Sequence, residues 1–180
     1  MITSTGLKDY IVVFDLDGTL VDTDRANSMA YQQAVYNETG LTIQTSNKRL
    51  TREVVQSYLK ADESFMHKII KHKEKCFADY LSSTLPLPGL FLLQNLQNTN
   101  NILLTFSRKD RADIVLDYYG ASSFFSNKYY REDYLGRSKF YFLINELHNA
   151  PDTIILFEND KDMVKEAILY GIPQINIYQS

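Results

Sequence analysis

An apolar, β-branched run from Tyr10 to Phe14 stops abruptly at two carboxylates one residue apart, Asp15 and Asp17, followed by a Gly18-Thr19 turn. Length and hydrophobicity make Tyr10 to Asp15 a buried strand. A buried strand has no packing reason to end in paired acids, which repel unless a cation or a shared proton separates them. In extended backbone, residues i and i+2 face the same way, so both carboxylates are expected to project into one small volume. In open α/β sheets the carboxyl edge is where ligands bind. Taken alone, Asp-x-Asp-Gly also describes a turn with solvated acids. The rest of the chain decides between these readings.

The sequence after this strand predicts a long helical stretch and then an alternation of strands and helices. Thr23 to Thr39 reads as a helix with acids in its first turn and Gly40 at its stop. Asn47 to Lys60 and Glu63 to Ser83 carry apolar residues at helical spacing. About sixty residues is too long for an ordinary connection, so 23–85 is expected to form a small helical subdomain. Leu85-Pro86-Leu87-Pro88-Gly89 is a stiff return to the main domain. Beyond it, strands are expected over Asn101 to Thr105, Phe124 to Tyr129, Thr153 to Phe157 and Gln174 to Tyr178. Helices are expected over Leu90 to Leu96, Asp110 to Tyr119, Lys139 to His148 and Met163 to Tyr170. The pattern predicts an α/β, Rossmann-like three-layer sandwich with a mainly parallel sheet, built from 1–22 and 86–180.

Composition narrows the function classes. The 180 residues carry a net charge of −3, without the basic excess of a nucleic-acid-binding surface. Cys76 is the single cysteine, which excludes an intrachain disulfide and fits a reducing cytosolic setting. The opening residues lack the basic start and apolar stretch of a signal peptide, and no run approaches membrane-spanning length. A cytoplasmic location is therefore the expectation. His67, His72 and His148 show no convincing metal-ligand spacing, and Cys76 reads as packing.

Three predicted strands end in polar groups: Asp15 and Asp17 after the first, Thr105 after the second, and Glu158 to Asp162 after the fourth. A parallel sheet gathers such ends at one edge. Lys139 begins a helix that could direct its ammonium there; Arg137 and Lys128 are the alternatives. Several carboxylates with open positions select Mg²⁺.

In this order, the motifs resemble those of the haloacid dehalogenase superfamily, in its Mg²⁺-dependent phosphatase branch. Phe14-Asp15-Leu16-Asp17-Gly18-Thr19-Leu20-Val21-Asp22 resembles the first motif, Leu103-Leu104-Thr105 the second, and Lys139 the third. Leu156 to Asp162, followed by Ala167 and Gly171-Ile172, resembles the fourth. The helical insertion is similar to the small cap of phosphoglycolate phosphatase-like and phosphomutase-like members. The resemblance implies that Asp15 is a nucleophile forming an aspartyl-phosphate and that Asp17 is the general acid and base. It further implies that Thr105 binds phosphate and that Lys139 neutralises charge during transfer. Gly18 would permit the turn, Thr19 would fix it, and Ser107 would contact substrate. Asp15, the Asp17 carbonyl, Glu158 and Asp162 would hold Mg²⁺, with Asp160 as the alternative ligand. Glu158 stands where the family usually has aspartate.

The implied activity is hydrolysis of a small soluble phosphorylated metabolite, by a monomer or homodimer, with no nucleic acid or membrane partner. Transfer to a sugar hydroxyl, as in a phosphomutase, is one alternative. A catalytically decayed phosphate- or partner-binding protein is another. Bland readings stand beside the functional ones: Thr105 as a strand-end residue, Ser107 and Arg108 as helix-capping or surface residues, Asp22 as a first-turn acid. Arg25, Tyr31, Arg49 and Arg52 could meet substrate, but surface roles are the commoner explanation.

Overall fold

The computed structural model describes residues 9–43, 49–96 and 99–179. These fall into two compact units: the residues up to Asp22 together with those from Pro86 onward, and those from Thr23 to Leu85.

The first unit is a five-stranded sheet. Its strands are β1 (Ile11–Phe14), β2 (Asn100–Leu104), β3 (Asn127–Tyr129), β4 (Ile154–Phe157) and β5 (Ile177–Tyr178), in the spatial order β3-β2-β1-β4-β5. Every pairing is parallel. The order reverses at β1, the kind of position beside which ligands bind in open α/β sheets.

Register sets up the chemistry. Phe14 pairs with Leu103 on one side and Phe157 on the other, so the residues just beyond β1, β2 and β4 emerge side by side. The Asp15 N–H still donates to Phe157 O at 3.0 Å, continuing the ladder one step past the strand. Side-chain alternation then divides the two faces. Val13, Leu104 and Leu156 point to a core formed with Phe140, Leu143 and Ala167. On the other face, Phe14 stacks on Phe157 at 4.7 Å between ring centres, and Phe157 on Tyr178 at 5.0 Å. Asp15 and Glu158 lie two residues beyond Val13 and Leu156, so parity turns them toward the Phe140 side.

The flanking helices are α4 (Pro88–Asn95), α5 (Lys109–Tyr118), α6 (Lys139–Tyr141) and α7 (Lys161–Leu169), numbered after three helices of the second unit. Helix α6 is shorter than the periodicity predicts, because Phe142–Glu146 continues it as a π-helical turn ending near His148, at φ 54°. The predicted last strand also shortens. Asn176 N–H donates to Pro173 O at 2.8 Å, closing a 3₁₀ turn before β5. Residues 122–124 likewise form a 3₁₀ turn ahead of β3.

The second unit contains α1 (Asp24–Thr39), α2 (Arg52–Leu59) and α3 (Glu63–Cys76), followed by a 3₁₀ segment over Phe77–Ser83. Gly40, at φ 70°, ends α1 as its sequence position implies. The predicted start of α2 at Asn47 falls outside the described residues; the observed helix is capped by the Thr51 side chain. Ala34, Val35, Leu50, Val55, Met66 and Ile69 form its apolar centre. Tyr31 packs there too, Arg49 pairs with Asp24, and Arg52 with Glu63.

Candidate active site

The edge where β1, β2 and β4 end holds a buried ionic cluster. Ser138 caps α6 by accepting from Phe140 and Tyr141 N–H, and Phe140 anchors the helix in the core. Lys139 is thereby directed inward, with 1% of its surface exposed. Its ammonium lies 3.0 Å from Asp15 Oδ1, 2.6 Å from Glu158 Oε2 and 3.4 Å from Leu104 O. Of the three candidate cations, Lys139 is the one brought to Asp15. Arg137 pairs with Glu146, and Lys128 donates to Ser122.

Charge in this cluster is tightly constrained. Burial pushes the Asp15 carboxyl up from 3.8 to about 7; Glu158 and Asp17 push the same way, against Lys139. Burial acts to lower the Lys139 pKa, but Asp15 and Glu158 outweigh it, so the ammonium is held above its ordinary value. The lysine is therefore charged and the neighbouring nucleophile candidate is poised near neutrality.

Asp17 is held by different partners. Arg111 Nη2 donates to its Oδ1 at 2.6 Å, and Ser107 Oγ donates to its Oδ2. The two carboxylates thus occupy neighbouring but separately clamped positions instead of sharing one cation. Sequence reasoning placed Ser107 in the site but missed Arg111. Strand-end reasoning did not reach Arg111, which lies in the first turn of α5, while Ser107 precedes that helix.

The turn residues support this arrangement. Gly18 adopts φ 79°, and a Cβ there would approach Asn159 Nδ2 to 2.3 Å. Gly18 N–H donates to Val21 O at 2.8 Å, and Thr19 Oγ1 donates to Asn159 Oδ1 at 3.2 Å. Thr105 is buried at the end of β2, where its hydroxyl accepts from Ser107 N–H at 3.1 Å.

The predicted metal ligands separate. Glu158 is buried in the cluster, with Oε1 accepting from Asp160 N–H at 3.0 Å. Asp162 is not brought to it: its side chain is 82% exposed and pairs with Lys165 at 2.8 Å. Asp160 caps α7, accepting from Asp162 and Met163 N–H. The fourth-strand acids diverge because the chain enters a helix at Asp160, which turns Asp162 away on the first turn. Among the described residues, no group of three or more Asp, Glu, His or Cys side chains is disposed as a metal site. Asp15 and Glu158 are both buried at this edge and supply carboxylate oxygens, the hard donors that Mg²⁺ takes while keeping several waters.

The sequence matches no family model and no curated protein. Its fold does match solved structures. A predicted phosphoglycolate phosphatase from Haemophilus somnus aligns with a TM-score of 0.75 over 95% of this chain and 84% of its own, at 16% identity. A HAD-superfamily hydrolase of subfamily IA from Geobacter sulfurreducens aligns at 0.70 over 91% and 84%, with 15% identity. A predicted phosphatase from Clostridium acetobutylicum gives 0.69 over 91% and 81%, with 18% identity. The chain has the fold of the haloacid dehalogenase superfamily, as its motifs led one to expect. Among the described residues, no helix is long and apolar enough to cross a membrane.

Proposed function

We propose that this protein is a Mg²⁺-dependent phosphomonoester hydrolase acting on a small phosphorylated metabolite through an aspartyl-phosphate on Asp15. The observation that carries this reading is the Asp15–Lys139–Glu158 cluster at the sheet's carboxyl edge. It is supported by the phosphatase descriptions of proteins sharing the fold.

In the first step an Asp15 carboxylate oxygen bonds to phosphorus while the bond from phosphorus to the leaving oxygen breaks. Lys139 offsets charge on Asp15 and on the phosphoryl oxygens. Thr105 and Ser107 offer hydroxyl and backbone groups to the phosphoryl. Asp17 donates a proton to the leaving oxygen, then accepts one from the water that hydrolyses the acyl phosphate. To do so it must leave its contacts with Arg111 and Ser107, so these two residues set its resting position. Asp15, the Asp17 carbonyl and Glu158 would hold Mg²⁺, which supplies charge neutralisation for the phosphate.

Chelation is expected to abolish phosphate release and added Mg²⁺ to restore it. Glu158→Gln should raise the Mg²⁺ concentration for half-maximal rate by about tenfold or more. Asp162→Asn should leave it within about twofold, its partner being an exposed lysine. Metal-titrated phosphate-release assays check both. A large effect at Asp162 with none at Glu158 would reverse the ligand assignment.

A further inference from the structure

A cavity of about 580 Å³ opens in the sheet unit, lined by Phe106, Arg131, Tyr134, Gly136 and Arg137. Its shape comes from a reversal of the chain at Leu135 and Gly136, with φ of 51° and 78°. Arg137 N–H closes that reversal on Tyr134 O at 2.9 Å. Gly136 borders open space: no atom lies within 4 Å of where its Cβ would stand. Tyr134 is fixed beneath, its hydroxyl donating to Thr105 O and Tyr129 O, both at 3.0 Å.

The lining carries two guanidinium groups and no carboxylate. Arg137 pairs with Glu146 and covers the Tyr141 ring. No carboxylate among the described residues pairs with the exposed Arg131. Such a cavity attracts anions, and arginine forks match carboxylate and phosphate oxygens. Phe106 adds an apolar wall, edge-on to Tyr134 and 43% exposed.

Phe106 also joins the cavity to the ionic cluster. It stands between Thr105 and Ser107, and the Lys139 ammonium that touches Asp15 lies 5.3 Å from its ring centre. The volume exceeds what one phosphoryl group needs and falls in the range of small-molecule sites. We propose that this cavity binds a second anionic group of the substrate, a carboxylate or a phosphate, distal to the phosphoryl that Asp15 accepts. The proposal rests on the phosphomonoesterase reading and narrows its substrate class to esters with two anionic ends.

Calorimetric titration of the full chain with non-hydrolysable phosphonates tests it, in parallel with phosphate-release assays on simple esters. The probes are propylphosphonate, phosphonobutyrate and propylene bisphosphonate, which differ in the distal group. One of the two doubly anionic probes is expected to bind about tenfold more tightly than propylphosphonate, as one charge-assisted contact allows. Which one does so assigns carboxylate or phosphate. The preference should fall to about twofold or less in Arg131→Gln or Arg137→Gln, with propylphosphonate binding unchanged. No preference in the wild type, or a preference that survives in the double variant, overturns the proposal. A preference without hydrolysis of any ester would leave the anion site standing and remove the phosphatase reading. Hydrolysis without a preference would do the reverse.

Discussion

Asp15→Asn is expected to lower phosphate release by about ten-thousandfold or more and, in chelator, to raise the melting temperature. The first effect follows from loss of the nucleophile: an amide cannot form the acyl phosphate. The second follows from burial. Asp15 ordinarily titrates near 3.8 but is pushed to about 7 in the folded protein. The folded state therefore binds this proton more tightly than the unfolded chain does. That contribution to stability is complete below the unfolded value and is lost as pH rises through about 7. Above neutrality the wild type carries a buried, incompletely compensated carboxylate, which asparagine removes. The gain should be a few kcal/mol at most, largest above pH 7, and should vanish toward pH 4. Thermal melts of both proteins across pH, with circular dichroism to verify the fold, give the comparison. An inactive variant that is less stable at every pH would contradict the burial argument.

Lys139→Met is expected to damage both fold and activity. Its removal leaves Asp15 and Glu158 as two buried acids without their common cation. Breaking a buried ion pair in this way costs about 3–5 kcal/mol. Phosphate release should drop by about a thousandfold or more, since charge on the transferring group then has no buried ammonium to offset it. The two effects separate by condition. Acid pH supplies protons to the orphaned carboxylates, so the stability deficit should shrink as pH falls, whereas activity should not return. Urea unfolding at several pH values reads the first effect and steady-state kinetics the second. A deficit independent of pH would indicate that lost packing, not uncompensated charge, dominates.

The sheet and the acids at its edge were legible in the sequence because each depends on local pattern. Ile11 to Phe14, Ile102 to Leu104 and Ile154 to Phe157 are short apolar runs ending in polar residues, and parallel register brings those ends together. Lys139 was legible as a candidate cation, yet only the packing of Phe140 and the cap by Ser138 separate it from Arg137 and Lys128. The pairing of Asp17 with Arg111 lies beyond strand periodicity, because the chain leaves extended geometry at Gly18 and the arginine comes from a helix ninety-four residues later. Asp162 illustrates the effect of a helix start on spacing. Its spacing from Glu158 suggested a shared metal, but a helix beginning at Asp160 turns it toward Lys165 and solvent. Short-range irregularities, such as the π-helical turn after Tyr141, depend on tertiary packing that periodicity does not encode.

Rapid acid quenching during turnover, followed by peptide mass spectrometry, tests the central claim most directly. The account predicts one phosphoryl group on the wild-type peptide containing Asp15, removed by hydroxylamine and absent from Asp15→Asn. Sustained phosphate release by Asp15→Asn, or a phosphoryl group carried by a different residue during turnover, would contradict it.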